Sequence, residues 1–140
     1  MFHLRIATLE RVVFDESVES VTLPGAYGEF TVLSDHIPFI TSLKLGEITA
    51  RGREDEFFMG VTGGMVEVTG ERVLVLADQA ERAEEIDEKL AEEARKRAET
   101  LMDEKRRSGE AFAAAEAELQ QSLLRLKIVK KHRSRKSSIS

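Results

Sequence analysis

Three histidines, His3, His36 and His132, carry the only imidazoles, and none stands at a metal-ligand spacing such as H-x-x-x-H. Asp35-His36 is the one acid–histidine neighbour pair, set in a turn signal beside Pro38. Its nearest nucleophiles, Ser34 and Thr41, lack the tight glycine elbow that would present a hydroxyl for attack. His36 therefore reads as a loop or contact residue, and no residue is assigned a catalytic or metal-binding role. Gly60, Gly63, Gly64 and Gly70 resemble a phosphate loop only superficially. No Gly-Lys-Ser/Thr follows them and no helix start is there to aim N–H groups at an anion, so turns between strands explain them better. Cysteine, tryptophan and asparagine are absent, which removes thiol nucleophiles, zinc–thiolate sites, disulfides and N-glycosylation acceptors. A reducing compartment fits this usage.

What remains is charge. The net charge of -5 hides a polarity: residues 1–88 carry 7 basic and 18 acidic side chains, while residues 89–140 carry 14 basic and 8 acidic. No acid follows Glu118, and seven lysines and arginines lie between Arg125 and Lys136. Such a tail suits nucleic-acid phosphates, an anionic membrane surface or an acidic protein surface. A solubilising tail with no specific partner stays open. Nucleic acid is the poorer fit, because nothing aromatic lies near the tail and the rest of the chain is acidic. The first fourteen residues place Arg5, Glu10 and Arg11 where a signal peptide needs an apolar run. The apolar run Val73–Ala77 falls far short of the ~20 residues of a membrane span, so membrane association is expected only through a partner.

The elements that must position these charges fall into two blocks. Over residues 2–78, short segments alternate apolar and polar residues, as in Phe57, Met59, Val61 and in Val66, Val68, the period of a strand with one buried face. The strand segments are Phe2–Ile6, Val12–Phe14, Val18–Leu23, Glu29–Leu33, Glu47–Arg51, Glu56–Val61, Met65–Thr69 and Arg72–Leu76. Pro24-Gly25, Gly46, Gly63-Gly64 and Gly70-Glu71 punctuate them, a spacing that predicts an antiparallel β-sandwich or barrel. At Asp78 the period changes. Asp78 and Glu81 have the form of a capping box, and Ala83, Ile86, Leu90, Ala94, Ala98 and Leu101 then recur as a helical stripe. Glu85–Lys89, Glu92–Lys96 and Glu93–Arg97 supply i,i+4 pairs. Ser108-Gly109 breaks the helix, and Phe112, Ala115, Leu119, Leu123 and Leu126 start a second stripe, flanked by Leu124 and Ile128. Two such helices joined by a short turn lie antiparallel. The expected organisation is a sandwich over residues 1–80, a helical hairpin over 81–131 and a disordered basic tail over 132–140. Because the first helix's seam is mostly alanine, the hairpin is expected to dock weakly, as a moving element needs, with a plain stable hairpin as the alternative.

In order and spacing, these residues resemble the F-type ATP synthase epsilon subunit. The resemblance is carried by Leu23-Pro24-Gly25-Ala26-Tyr27-Gly28-Glu29, then His36-Ile37-Pro38-Phe39-Ile40-Thr41, then Leu45-Gly46-Glu47-Ile48. Gly63-Gly64-Met65-Val66-Glu67-Val68 and Val73-Leu74-Val75-Leu76-Ala77-Asp78-Gln79-Ala80 complete it. The set covers residues 2–90, and the hairpin matches in architecture more than in residues. The resemblance implies a non-catalytic central-stalk rotor subunit of a proton-translocating synthase, on the cytoplasmic face of a bacterial inner membrane. Its sandwich would clamp the gamma subunit and sit on the c-ring through Glu29, Ser34, Asp35 and His36. Its hairpin, when extended, would inhibit ATP hydrolysis, with Arg125, Lys127, Lys130 and Lys131 meeting acidic segments of the alpha and beta subunits. Thr31 and Ser34 depart from the family's usual glycine and proline, so the contact loop is expected to differ in shape. Some relatives hold ATP in the folded hairpin through an [IL]-D-x-x-R-A motif. Here Ile86-Asp87-Glu88-Lys89-Leu90-Ala91 has leucine for that arginine and Gln121 replaces another, leaving only Asp87 and Arg125. A phosphate site short of two guanidinium groups is weak, so no cofactor is expected.

Overall fold

The computed structural model describes the backbone of residues 1–109 and 112–139, and the side chains through Arg135. Ten strands come first: β1 (Phe2–Ala7), β2 (Val12–Val18), β3 (Ser20–Gly25), β4 (Gly28–Leu33), β5 (Phe39–Leu43), β6 (Gly46–Arg51), β7 (Glu56–Val61), β8 (Gly64–Val68), β9 (Arg72–Ala77) and β10 (Ala80–Arg82). A short 3-10 turn at Ala83–Glu85 leads into α1 (Glu88–Ser108) and α2 (Ala113–Ile139).

The strands form one hydrogen-bonded sheet in the order β10-β7-β6-β3-β5-β8-β9-β1-β2, with β4 on the free side of β3. At the centre of that order β3 and β5 share only the Gly25↔Leu43 bridge. The sheet folds over at this point, which gives two layers whose inner faces share a core. Leu4, Ile6, Phe14, Val21, Leu23, Ile48, Met59, Val66 and Val75 are buried in it. They occupy alternate positions on their strands, so the period-2 pattern decides which face is inside. β1 and β9 pair in parallel, and every other pairing is antiparallel. The fold is therefore an antiparallel-dominated β-sandwich followed by an α-helical hairpin, the expected class.

Several boundaries differ from expectation. β5 and β10 carry no clean alternation and escape a pattern reading. Asp78 does not cap a helix: its N–H donates to Gly63 O (3.0 Å), and the chain makes one more strand, Ala80–Arg82, against β7. The helix cap lies nine residues later, where the Asp87 carboxylate accepts the Leu90 N–H at 3.1 Å. Gly109, in the left-handed conformation at φ 75°, closes α1. The anticipated i,i+4 pairs on α1 give way to one centre, Arg95, which donates to Glu99 (2.7 Å) and to Glu92 (Nε, 3.0 Å).

The basic end is the largest correction. Instead of turning irregular after Lys131, α2 runs to Ile139, and Ser140 lies outside the described residues. Cations in the last turns of a helix complement its macrodipole. Carboxylates from elsewhere in the chain also neutralise this stretch, as described below.

Candidate contact surfaces and the docked hairpin

Strand β4 and the loop after it bring together two of the four residues proposed for a ring contact. Glu29, on β4, and His36 line one shallow depression together with Tyr27, Phe30, Phe39 and Thr41. Its floor is aromatic: Phe30 and Phe39 meet edge to face at 5.3 Å, and the His36 ring lies 5.2 Å from Phe39. His36 Nδ1 is 3.0 Å from its neighbour Ile37 O, so the ring is fixed by its own loop rather than by an acid. Asp35 has φ 70°, a left-handed conformation that aspartate tolerates better than most residues. Ser34 and Asp35 form the exposed turn itself. Around them Tyr27, Leu33, Ile37 and Ile40 are exposed apolar side chains, with Tyr27 at 97%. Clustered exposed apolar groups rimmed by carboxylates are the usual mark of a protein contact rather than of a solvated loop. A reading built on polar residues alone misses this apolar share.

The second surface is where the hairpin meets the sandwich. Ala115, Ser122 and Leu126 recur along one stripe of α2 and are buried. Leu124 and Ile128 point to roughly the opposite side, and there Ile128 sits on Gly60 of β7. A Cβ at Gly60 would stand 2.9 Å from Ile128 Cδ1 and 3.7 Å from Leu124 Cδ2, so the glycine is a notch that receives Ile128. Ile128 is fully buried, in a cluster with Phe58, Ala83, Ile86, Ala91 and Leu126. Alanines Ala91 and Ala98 are the buried residues of α1, while Leu90 and Leu123 from the expected stripes are exposed. The alanine seam lies between α1 and α2, and α2 is the helix that grips the sandwich. Weak docking inferred from α1's composition thus looks at the wrong interface. Gly60, read from sequence as a turn glycine, is in mid-strand.

Around this apolar knob lies a set of ion pairs between basic α2 and acidic strands. Arg125 Nε donates to Glu81 Oε1 at 2.5 Å, and Gln121 donates to Gln79 at 3.3 Å. Lys131 Nζ is 3.0 Å from both carboxylate oxygens of Glu47 on β6. Lys127 and Lys130 are exposed and line an open groove with Arg51, Glu92 and Arg95, beside the Leu126 side chain. Of the four expected inhibitory cations, two are therefore held against the sandwich and two face outward. Asp87 and Arg125 do not meet: Asp87 caps α1, whereas Arg125 lines a cavity of about 380 Å³ with Arg11, Asp78 and Glu81.

At the hairpin's base Arg11 contacts the Glu85 carboxylate at 2.7 Å. That guanidinium hydrogen bond, helped by the Arg82 N–H and opposed by partial burial, holds Glu85 below its ordinary value of 4.5. A depressed carboxylate contributes stability above its unfolded pKa, and loses it as pH falls through the lower folded value. The base contact is accordingly expected to be constant down to about pH 5 and to loosen only in more acidic solution. Glu85→Gln should flatten this acid limb by under ~1 kcal/mol, since the pair is half-exposed, as followed by melting temperature against pH.

Among the described residues no helix is long and apolar enough to cross a membrane, and no cluster of three or more metal-ligating side chains is found.

Comparison with known proteins fits this architecture along its length. Residues 1–83 match the ATP synthase delta/epsilon chain β-sandwich domain, and residues 84–130 match the long α-helix domain of the same family. A Dehalococcoides mccartyi ATP synthase epsilon chain is 47% identical over 130 residues, 93% of each chain. One from Moorella thermoacetica is 45% identical over 126 residues, 89% of this chain and 93% of that one. In fold, the chain resembles one in the Euglena gracilis mitochondrial ATP synthase, solved as OSCP/F1/c-ring. The TM-score is 0.64 at 20% identity, over 95% of this chain and 79% of that one. From strand order to hairpin, and from both family domains in sequence, the chain belongs to the ATP synthase epsilon-chain family.

Proposed function

We propose that the chain is a non-catalytic central-stalk subunit of a proton-translocating F-type ATP synthase, coupling rotation of the c-ring and gamma to ATP synthesis. The sandwich would bind gamma and meet the c-ring with the loop of Glu29, Ser34, Asp35 and His36 and its apolar surround. The hairpin would brake ATP hydrolysis when it leaves the sandwich and extends toward the alpha and beta subunits. Bacterial relatives support placement on the cytoplasmic side of the inner membrane, as a peripheral part of the complex.

The observation that carries this reading is the pairing of Arg125 and Lys131 with Glu81 and Glu47. Both pairs keep one partner at least 29% exposed, and such partly exposed pairs are worth about 1 kcal/mol each, so acidic segments of another subunit could replace them at modest cost. The folded hairpin thus holds on the sandwich two of the four cations it would use on the catalytic head, Arg125 and Lys131. A tight ATP site is not part of the proposal, since Asp87 is engaged as a helix cap and Arg125 as a partner of Glu81.

The test is ATP hydrolysis by the cognate catalytic head carrying either the full chain or residues 1–86. Truncation should raise the rate several-fold while gamma binding persists. Equal rates would remove the braking role, and failure of both forms to assemble would remove the stalk role. Calorimetric titration of the full chain should detect no sub-millimolar ATP binding.

A further inference from the structure

The family's helical domain matches only to residue 130, yet α2 continues to Ile139. The first turn and a half of that continuation makes a contact at nearly every residue. Lys131 reaches Glu47 on β6 (3.0 Å) and Arg135 approaches Glu56 on β7 (3.8 Å). His132 lies 3.6 Å from Glu84 in the 3-10 turn, and Arg133 pairs with Glu88 in the first turn of α1. Residues 131 and 135 are one helical turn apart and share a face, while 132 and 133 project to another. The continuation is therefore seated between two sets of carboxylates, one on strands β6 and β7 and one at the hairpin base.

We infer that residues 131–135 are an ionic latch that holds the hairpin folded against the sandwich. This rests on the reading of the hairpin as a movable element. Ser134 lines the same open groove as Lys131, Arg135 and Glu56. The latch acts beyond the apolar knob: Ile128 fixes where α2 sits, and the next seven residues tie its end to elements on both sides. Because each pair has one partner more than 40% exposed, added salt screens them far more than it affects the buried knob. The joint effect of the Lys131, Arg133 and Arg135 pairs also exceeds that of any one of them, since all three restrain a single helix end.

The chain's lack of cysteine allows a clean distance measurement. Dyes on Arg53→Cys and Thr100→Cys, both exposed, report hairpin opening in the full chain by single-molecule energy transfer. At low salt a chain ending at Lys130 should populate the open form about tenfold more than the full chain. A full-length variant with Glu47, Glu56, Glu84 and Glu88 each replaced by glutamine should do the same. Raising salt from about 0.05 to about 1 M should open the full chain and leave the truncated one nearly unchanged. Opening in the truncated chain but not in the glutamine variant would overturn the latch, because helix length rather than pairing would then be responsible. Unchanged populations in both would overturn it as well. Ile128→Asp separates the two readings: if it opens the hairpin without slowing hydrolysis, the brake fails while the latch is still decided by the distances.

Discussion

Replacing Ile128 with aspartate is expected to release the hairpin while leaving the sandwich folded. Ile128 has no exposed surface, and it fills the notch at Gly60 between β7 and the hairpin cluster. Removing such a side chain to alanine costs about 2–5 kcal/mol, from lost transfer energy and the cavity left behind. A carboxylate there adds the penalty of an unpaired buried charge, which the chain avoids by undocking α2 and letting water in. The sandwich core is a separate cluster built from both layers, so its own unfolding should be little affected. Leu123 provides the control. It lies on the same helix and is 43% exposed, and aspartate there should change docking by no more than about 0.5 kcal/mol. Small-angle scattering would show the Ile128→Asp chain extended and the Leu123→Asp chain compact. A compact Ile128→Asp chain with an unchanged melting profile would mean that the ion pairs, not the knob, hold the hairpin.

What sequence reveals about this molecule follows from which signals are local. Strand alternation is local, so Phe57–Met59–Val61 and Val66–Val68 announce their inner faces without any knowledge of partners. β5 and β10 are strands because of what they lie beside: β5 borrows its ladder from β8, and Ala80–Arg82 is extended because β7 offers an edge. Capping chemistry is local too, but it was present twice. Asp78–Glu81 and Asp87 both have the right side chains, and tertiary pairing of Asp78 with Gly63 decides between them. The docking surface was hidden for a different reason. A helix buried on two sides loses the single-stripe signature, and α2 must serve both α1 and β7. Gly60 carried the one available hint, a glycine inside an alternating strand, which marks a close approach. The polar residues proposed for a ring contact were legible as a loop with charge. The exposed apolar residues beside them, Tyr27 and Ile37, were not, because exposure is a property of the fold. The same holds for the basic tail, whose helix is stabilised by carboxylates 45 to 84 residues away in sequence.

The second large effect concerns the sandwich itself. Gly63-Gly64 does not turn a hairpin: β7 and β8 lie in different layers, and this dipeptide carries the chain from one to the other. Gly64 has φ 144°, and a Cβ there would stand 2.2 Å from the Leu76 carbonyl oxygen and 2.8 Å from Ala77 Cα. Those neighbours are backbone of β9, hydrogen-bonded into the ladder on which β8 also depends, so neither can move aside without breaking pairs. Gly64→Ala therefore meets two costs at once, an unfavourable dihedral of about 1–3 kcal/mol and a backbone clash that forces β8 and β9 apart. Together they should exceed about 4 kcal/mol, a large share of the 5–15 kcal/mol typical of a domain. Thermal or urea unfolding should show the sandwich transition falling far below that of the parent chain. Gly60→Ala provides the comparison: its added Cβ meets only the tip of the Ile128 side chain, which can rotate, so the sandwich transition should barely move. If Gly64→Ala melts with the parent chain, the crossover between the layers is not the rigid joint described here, and the sandwich tolerates a shift of β8 along β9.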